Sequence, residues 1–564
     1  MSVVASGLAR ANRGAASRNH TRNGVILALA CVAQFMVILD VSIVNVALPS
    51  IQRDLHFTPG GLQWVVNAYA LTFAGFLMLG GRAADLYGRR KIFILGLSLF
   101  TLASIVGGFS QGTAMLTAAR AAQGLGGAVL SPATLTLLIT TFPEGPARSR
   151  ALGIWSAVAG GGAAAGALFG GILTQYLSWR WILFINVPIG VVVTLGAIAF
   201  LSEGRRNLGS RSLDLPGAIT VTGGMALLVY GIVQTSSNGW SSGRTIGLLV
   251  GAVALLVAFL VIEARFAESP LVPLSIFRLR TVSSANVVML ILGVGFLVSF
   301  YFESLFMQNV LGYDALKTGL LFLPFVAAIA FGSQFSARVV DRIGPRPLLV
   351  VGLVISAGGF YWLSHFTATS TFVGNLLGPG MLMTLGIGLC FTPLATASTS
   401  GVSPSQSGLA SALLNTSRQV GGSIGLAAIA TVAVDRTTSL LAHSNHSHSA
   451  MAVALTAGYS RAFVVGAATT LVAAIAALAV PALRRAVAAK LVNAEDAHLG
   501  ALVLALTSRL IETADGKHPA LVAAAAKLVP DDGGSDHERA NQAAREVLRP
   551  MARALLATPS AESP

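Results

Sequence analysis

Four charged residues, Asp40, Arg120, Glu303 and Arg418, fall inside stretches that are otherwise apolar enough to cross a membrane. A charge at the centre of a membrane helix costs about 2.5–3.5 kcal/mol on insertion scales, so such residues mark function or tight pairing. The chemistry open to the two carboxylates is proton loading and release. Desolvation favours the neutral acid and a neighbouring cation favours the carboxylate, so a change of surroundings moves the proton. A purely structural ion pair is the competing reading for Asp40 with Arg120 and for Glu303 with Arg418.

The elements that must position these groups are membrane helices. Of the 564 residues, 54% are hydrophobic and only 10% charged, with a mean hydropathy of +0.74, far from the range of soluble domains. Apolar runs of the length needed to span the hydrocarbon recur from 25–49 to 459–482, and fourteen can be counted, with 371–400 and 405–433 among them. The fold expected is an all-α membrane protein. Its net charge of +15 does not form a nucleic-acid-binding arm, because the basic residues sit in loops on one side of the spans. With the N-terminus inside, Arg82, Arg89, Arg90, Lys91, Arg338, Arg342 and Arg346 are cytoplasmic, and the other face keeps a scatter such as Arg53, Arg244 and Arg436. Fourteen spans return the C-terminus to the cytoplasm. The first apolar run is too long for a signal-peptide core and reads as a retained helix. Cys31 and Cys390 both fall within spans and read as small packing residues, with no disulfide, metal or other cofactor implied.

Internal repeats divide the chain. ADLYGRRK (84–91) recurs as VDRIGPRP (340–347), aligning Asp85 with Asp341, Gly88 with Gly344 and Arg90 with Arg346. GLGGAVLSP (124–132) recurs as GIGLCFTP (386–393), aligning Gly124 with Gly386 and Gly126 with Gly388. The implied layout is a tail at 1–24, a six-helix bundle at 25–201, two additional helices within 202–282, a second six-helix bundle at 283–482 and an extension at 483–564. Parallel repeats of this kind place a substrate site between the bundles near the midplane and imply alternating access. Carrying the repeat offset from Asp40 lands beside Glu303, so the two carboxylates are expected to line the central cavity on related helices. Polar positions within spans, Gln34, Asn45, Gln123, Asn415, Arg418 and Gln419, suit either substrate contact or hydrogen bonding between helices.

The tight turn GRAADLYGRRK (81–91) needs glycine for backbone freedom, with Asp85 at a helix end and Arg89 and Arg90 at the anionic inner leaflet. GIWSAVAGGGAAAGALFGG (153–171) sets Gly153, Gly162, Gly166, Gly170 and Gly171 on a small-residue surface suited to close helix contact. HSNHSH (443–448) reads as a polar outer loop, not a metal site, and LVLALTSRLIET and AAREVLRPMARALL in the extension read as amphipathic cytoplasmic helices.

These motifs, with LDVSIVNVALP (39–49), RAAQGLGG (120–127), SWRWILFINVP (178–188) and SGLASALLNTSRQVGGSIG (407–425), occur in one order along residues 25–482. In this the sequence resembles the major facilitator superfamily and, within it, the fourteen-helix drug:proton antiporters. The resemblance implies that the Gly81, Asp85, Gly88, Arg89 and Arg90 loop and its repeat at Asp341, Gly344 and Arg346 act as a conformational latch. It matches the glycine series to the antiporter signature, with Ala167 where a proline is usual, and matches Asp40 and Arg120 to motifs associated with proton coupling. Glu303 departs from the usual apolar residue just before FMQNVLGY (306–313), and stands as a second proton site or a counter-charge for a cationic substrate. The expected activity is export of amphipathic drugs or antibiotics in exchange for protons, by a monomer in a bacterial plasma membrane with both termini cytoplasmic. A proton-coupled importer of a polar solute is the alternative. A membrane enzyme fits least, since connections are short and no nucleotide-binding, zinc-protease or nucleophile-elbow pattern occurs.

Overall fold

The computed structural model describes residues 2–142, 146–201, 214–267, 270–402, 406–442 and 447–481, and these are helical with no strand among them. Among the described residues, thirteen helices are long and apolar enough to cross a membrane. Pro146–Tyr176, 31 residues long, runs between the fourth and fifth of them and completes the fourteen expected. The first six helices are α1 (Ser2–Leu55), α2 (Trp64–Tyr87), α3 (Arg89–Gly108), α4 (Thr113–Thr141), α5 (Pro146–Tyr176) and α6 (Asn186–Phe200). Two more follow, α7 (Leu215–Asn238) and α8 (Gly243–Val261), the latter prolonged by a π-helical turn at Ile262–Phe266. The last six are α9 (Arg280–Asn309), α10 (Leu323–Ile343), α11 (Pro345–Leu363), α12 (Gly378–Thr399), α13 (Ser407–Leu441) and α14 (His448–Ala477). The last span starts eleven residues before its expected position. SAMAVALTAG is rich in strong helix formers, which hold a helix beyond the hydrocarbon, and Pro481 stops it. The first helix likewise runs back through the expected tail. The amphipathic segments of the C-terminal extension and the centre of HSNHSH lie outside the described residues.

Lipid tails are as apolar as leucine, so membrane helices associate through close packing of small residues. The glycines show where this happens. A Cβ on Gly166 of α5 would lie 2.8 Å from the Leu39 carbonyl oxygen of α1, and one on Gly170 would lie 2.8 Å from that of Ile43. The related pair α9 and α13 touch still more closely, since a Cβ on Gly293 would lie 2.2 Å from the Arg418 carbonyl oxygen. On α4, Gly124 faces the Tyr69 carbonyl of α2 and Gly126 faces the Phe100 amide of α3; on α12, Gly386 faces Gly352 of α11 and Gly388 faces Ile329 of α10. This corrects the expected register. Gly126 corresponds to Gly386, each turned to the third helix of its set, an offset of 260 in place of 262. Alignment by glycine spacing alone does not record which helix face each glycine occupies.

The tight turns match in geometry. Gly88 joins α2 to α3 at φ 102° and Gly344 joins α10 to α11 at φ 89°, a region that costs any residue with a Cβ. Gly81 is less constrained than its neighbour Gly80, where a Cβ would lie 2.5 Å from the Ala128 carbonyl oxygen. Asp85 and Asp341 fall on the last turns of α2 and α10, and their side chains lie outside what the structure describes.

The two six-helix sets meet where α2 packs on α13, with Thr416 Oγ1 donating to the Ala74 carbonyl, and again at the end of the bundle remote from the N-terminus. Ser304 Oγ donates to the Asn45 carbonyl at 2.7 Å and Gln308 Nε2 to the Val46 carbonyl at 2.8 Å. Beside them backbone lies on backbone, for a Cβ on Gly171 would sit 2.6 Å from the Ala315 carbonyl oxygen and one on Gly319 would sit 2.3 Å from that of Ala167. Helix α7 packs on α2, α13 and α8, so the additional pair rests against both sets. Gly153 has nothing within 4 Å of its Cβ position and stands apart from the rest of its motif. Gly166→Ala is therefore expected to destabilise the protein by about 1–3 kcal/mol. Gly153→Ala should be neutral or stabilising by up to about 1 kcal/mol, because alanine is the better helix former. Thermal or denaturant unfolding of the two variants in detergent separates them.

Candidate functional site

Asp40 lies near the middle of the membrane part of α1, fully buried, and its carboxylate is the hub of a polar network that draws on four other helices. Arg120 of α4 donates from Nη1 to Asp40 Oδ2 at 2.5 Å. Asp40 Oδ1 accepts from Gln123 Nε2 at 3.1 Å and from Asn186 Nδ2 of α6 at 2.9 Å. Gln123 Nε2 also donates to Ser104 Oγ of α3 at 2.8 Å, and its Oε1 accepts from Arg120 Nη1 at 2.9 Å. Arg120 Nε donates to the Val65 carbonyl of α2 at 3.0 Å, and the guanidinium lies 4.6 Å from the Tyr69 ring centre. The Tyr69 hydroxyl is buried without a hydrogen-bond partner among the described residues. Arg120 at position i and Gln123 at i+3 share one face of α4, which is why both reach the same carboxylate.

Glu303 of α9 is also buried, 1% exposed, yet among the described residues both of its carboxyl oxygens lack a hydrogen-bond partner. It points into the packing between α9, α10 and α12, where a Cβ on Gly380 would lie 3.1 Å from its Oε1 and 2.7 Å from the Phe325 ring. Gly380 follows Arg120 by the offset of 260 that relates α12 to α4. Where the first set supplies a guanidinium, the second supplies a glycine. The sequence-based expectation that both carboxylates line the central cavity is corrected here, because each turns into its own helix set. Glu303 does not pair with Arg418 either. The Arg418 guanidinium lies 5.5 Å from the Phe296 ring centre, with Asn415 Oδ1 at 3.5 Å.

The other polar candidates disperse. Gln34 Oε1 accepts from Ser131 Oγ at 3.2 Å in a separate cluster with Thr134 and Trp155. Asn45 Nδ2 and Asn415 Nδ2 donate to carbonyls one turn back on their own helices, at Val41 and Ser411. Gln419 is half-buried on α13. In the loop motifs, Arg90 Nη2 donates to the Ile198 carbonyl of α6 at 2.8 Å, and Arg346 is half-buried at the start of α11. Cys31 and Cys390 are free and buried. A cavity of about 230 Å³, nearly all apolar, lies where α2, α7, α9 and α13 converge, with Met78, Met225, Leu290 and Val420 in its wall. Sequence reasoning missed Asn186, Ser104 and Tyr69. Asn186 lay inside the quoted SWRWILFINVP, and an amide in the middle of an apolar run was the available signal.

The sequence profile of the Major Facilitator Superfamily matches residues 30–426. The chain belongs to that superfamily. Its relatives include the cephamycin export protein CmcT of Amycolatopsis lactamdurans, 47% identical over 408 residues, covering 72% of this chain and 84% of that protein. The puromycin resistance protein of Streptomyces alboniger is 39% identical over 448 residues, covering 78% of this chain and 88% of that one. Among solved structures, an inward-facing, unoccupied bacterial homologue of the human lysosomal transporter Spinster aligns with a TM-score of 0.57 at 16% identity, over 81% of this chain and 98% of its own. That likeness extends to the fold. The protein is thus a multi-pass membrane protein with the superfamily's helical architecture.

The network makes a contrast that stability measurements can read. Asn186→Ala removes a donor from a buried carboxylate and is expected to cost about 1–3 kcal/mol. Asn45→Ala removes only a bond within one helix turn and should cost much less. Denaturant titration of both variants in detergent is the check.

Proposed function

We propose that this protein exports amphipathic drug- or antibiotic-like molecules across the bacterial plasma membrane in exchange for protons, by alternating access. The observation that carries the proton half of this reading is the fully buried Asp40 carboxylate held by Arg120, Gln123 and Asn186. Relatives named for cephamycin export and puromycin resistance support the cargo half.

Every group around Asp40 in this state donates a hydrogen bond, which suits the ionised, acceptor-only carboxylate. A proton on Asp40 removes the negative charge that the Arg120 guanidinium is paired with, so protonation weakens the Arg120 contact. Protonating Asp40 releases the guanidinium towards its remaining acceptors, Gln123 Oε1 and the Val65 carbonyl, and loosens the tie between α1 and α4. Protonation is thereby converted into a change in helix packing. Glu303 is the complementary case. With no donor beside it, an ionised carboxylate would carry an uncompensated burial cost, so its site suits the neutral acid and makes it a second proton carrier. With the N-terminus cytoplasmic, the seam at Ser304, Gln308, Gly171 and Gly319 lies at the outer end.

Each proton moving down a gradient of one pH unit supplies about 1.4 kcal/mol, and each charge crossing 100 mV about 2.3 kcal/mol. In inverted vesicles with an imposed pH gradient, a panel of dyes and antibiotics should accumulate in the wild type. Asp40→Asn should abolish that accumulation while leaving exchange of substrate down its own gradient, and Glu303→Gln should reduce it. Accumulation that survives collapse of the gradient, or is unchanged in both variants, refutes the coupling.

A further inference from the structure

Arg418 is the charge in the middle of the membrane that the proton chemistry leaves unused. Its backbone packs on Gly293, about halfway along α9, so the residue sits roughly 20 Å or more from either end of that helix. Its side chain is only half-buried, and among the described residues no carboxylate pairs with it. Of the five N–H donors on a guanidinium, one is used, in a long contact of 3.5 Å to Asn415, itself exposed one turn earlier. Asp40 is occupied by Arg120, and Glu303 is sealed between α9, α10 and α12, so neither carboxylate meets it.

One aromatic ring faces the cation and begins a row of others. Phe296, 5.5 Å from the guanidinium, meets Phe391 of α12 edge-on at 5.9 Å and Phe300 at 5.4 Å, and Phe300 meets Phe322 at 5.5 Å. Phe296, Phe300 and Phe391 are only partly buried, and Phe35 of α1 and Ala165 of α5 pack against the same core. The rings thus form a partly buried row on α9 and α12 within a core that both helix sets share. We infer that this region is a binding site for an aromatic molecule bearing an anionic group, a carboxylate for choice, with Arg418 as the partner of the anion and the phenylalanines holding the aromatic body.

The physical reason is the cost of leaving the cation alone. A guanidinium cannot discard its proton, so at mid-membrane it must be solvated by water, by a ring face or by an anion. A carboxylate satisfies two of its free donors in one bidentate contact. A cationic substrate would meet like charge at the same spot. This reverses the polarity suggested by Glu303 in the sequence. The inference deepens the export reading by naming the substrate class, and rests on it for the direction of transport.

Pyrenebutyrate, its uncharged amide and pyrenebutylammonium share one aromatic body and differ in charge, and pyrene fluorescence reports binding to the purified protein in detergent. The wild type should bind pyrenebutyrate about tenfold or more tightly than the amide, and the ammonium least. Arg418→Gln should erase the preference, and Arg418→Lys should retain part of it. Equal binding of the three, preference for the ammonium, binding of none, or a carboxylate preference that persists in Arg418→Gln overturns the inference. If Arg418→Gln does not fold, the wild-type order alone decides. Gradient-driven movement of the amide or ammonium with no carboxylate preference would keep the export reading and sink this one. A carboxylate preference without gradient-driven movement of any of the three would do the reverse.

Discussion

A carboxylate in hydrocarbon has no water to accept donors from, so the position of Asp40 dictates what must come to it. Arg120, Gln123 and Asn186 meet that requirement by arriving from α4 and α6, with Ser104 of α3 and the Val65 carbonyl of α2 closing the network behind them. One buried charge thus fixes the relative rotation of α1, α2, α3, α4 and α6. A slip of one residue on α4 would carry the guanidinium about 100° round the helix and leave two charges unpaired, each at a cost of several kcal/mol.

The helices come close enough for short side chains such as asparagine and serine to meet because glycines remove what would hold them apart. Gly126 lets α4 rest on α3, and Gly124 lets it rest on α2, which brings Ser104 and Val65 within reach of residues one turn away. In the second helix set the same backbone contacts recur at Gly386 and Gly388, but the polar residues do not. Glu303 consequently sits in the equivalent packing with no hydrogen-bond partner among the described residues. Shared architecture with divergent chemistry is how one ancestral helix bundle can give two halves with different electrostatic roles.

Much of this was legible in the sequence, for physical reasons that differ from element to element. Apolar run length gave the helices because hydrocarbon thickness sets a minimum, and the Gly88 and Gly344 turns were visible because few residues tolerate positive φ. Asp40, Arg120 and Gln123 could be singled out because polar groups in such runs are costly. Their partner Asn186 met the same criterion, but nothing local says which of the amides in membrane helices faces a carboxylate. The facing of Glu303 was misread for a related reason. An offset between repeats places a residue along a helix to within a residue or so, while each residue turns the side chain by about 100°. The ends of α1 and α14 ran past the apolar segments because helix propensity, not hydropathy, decides where a helix stops.

The contact of Gly171 and Ala167 on α5 with Ala315 and Gly319 has a mechanical meaning. Backbone resting on backbone leaves no side chain to compress, so this spot behaves as a stiff fulcrum between the two helix sets. From Gly171 back to Pro146, α5 extends through 25 residues, a lever arm of about 37 Å, so a tilt of about 10° at the fulcrum swings the far end by about 6 Å. A pivot at one end and a long arm beyond it would let a small rotation at the closed seam open a passage wide enough for a drug-sized molecule at the other.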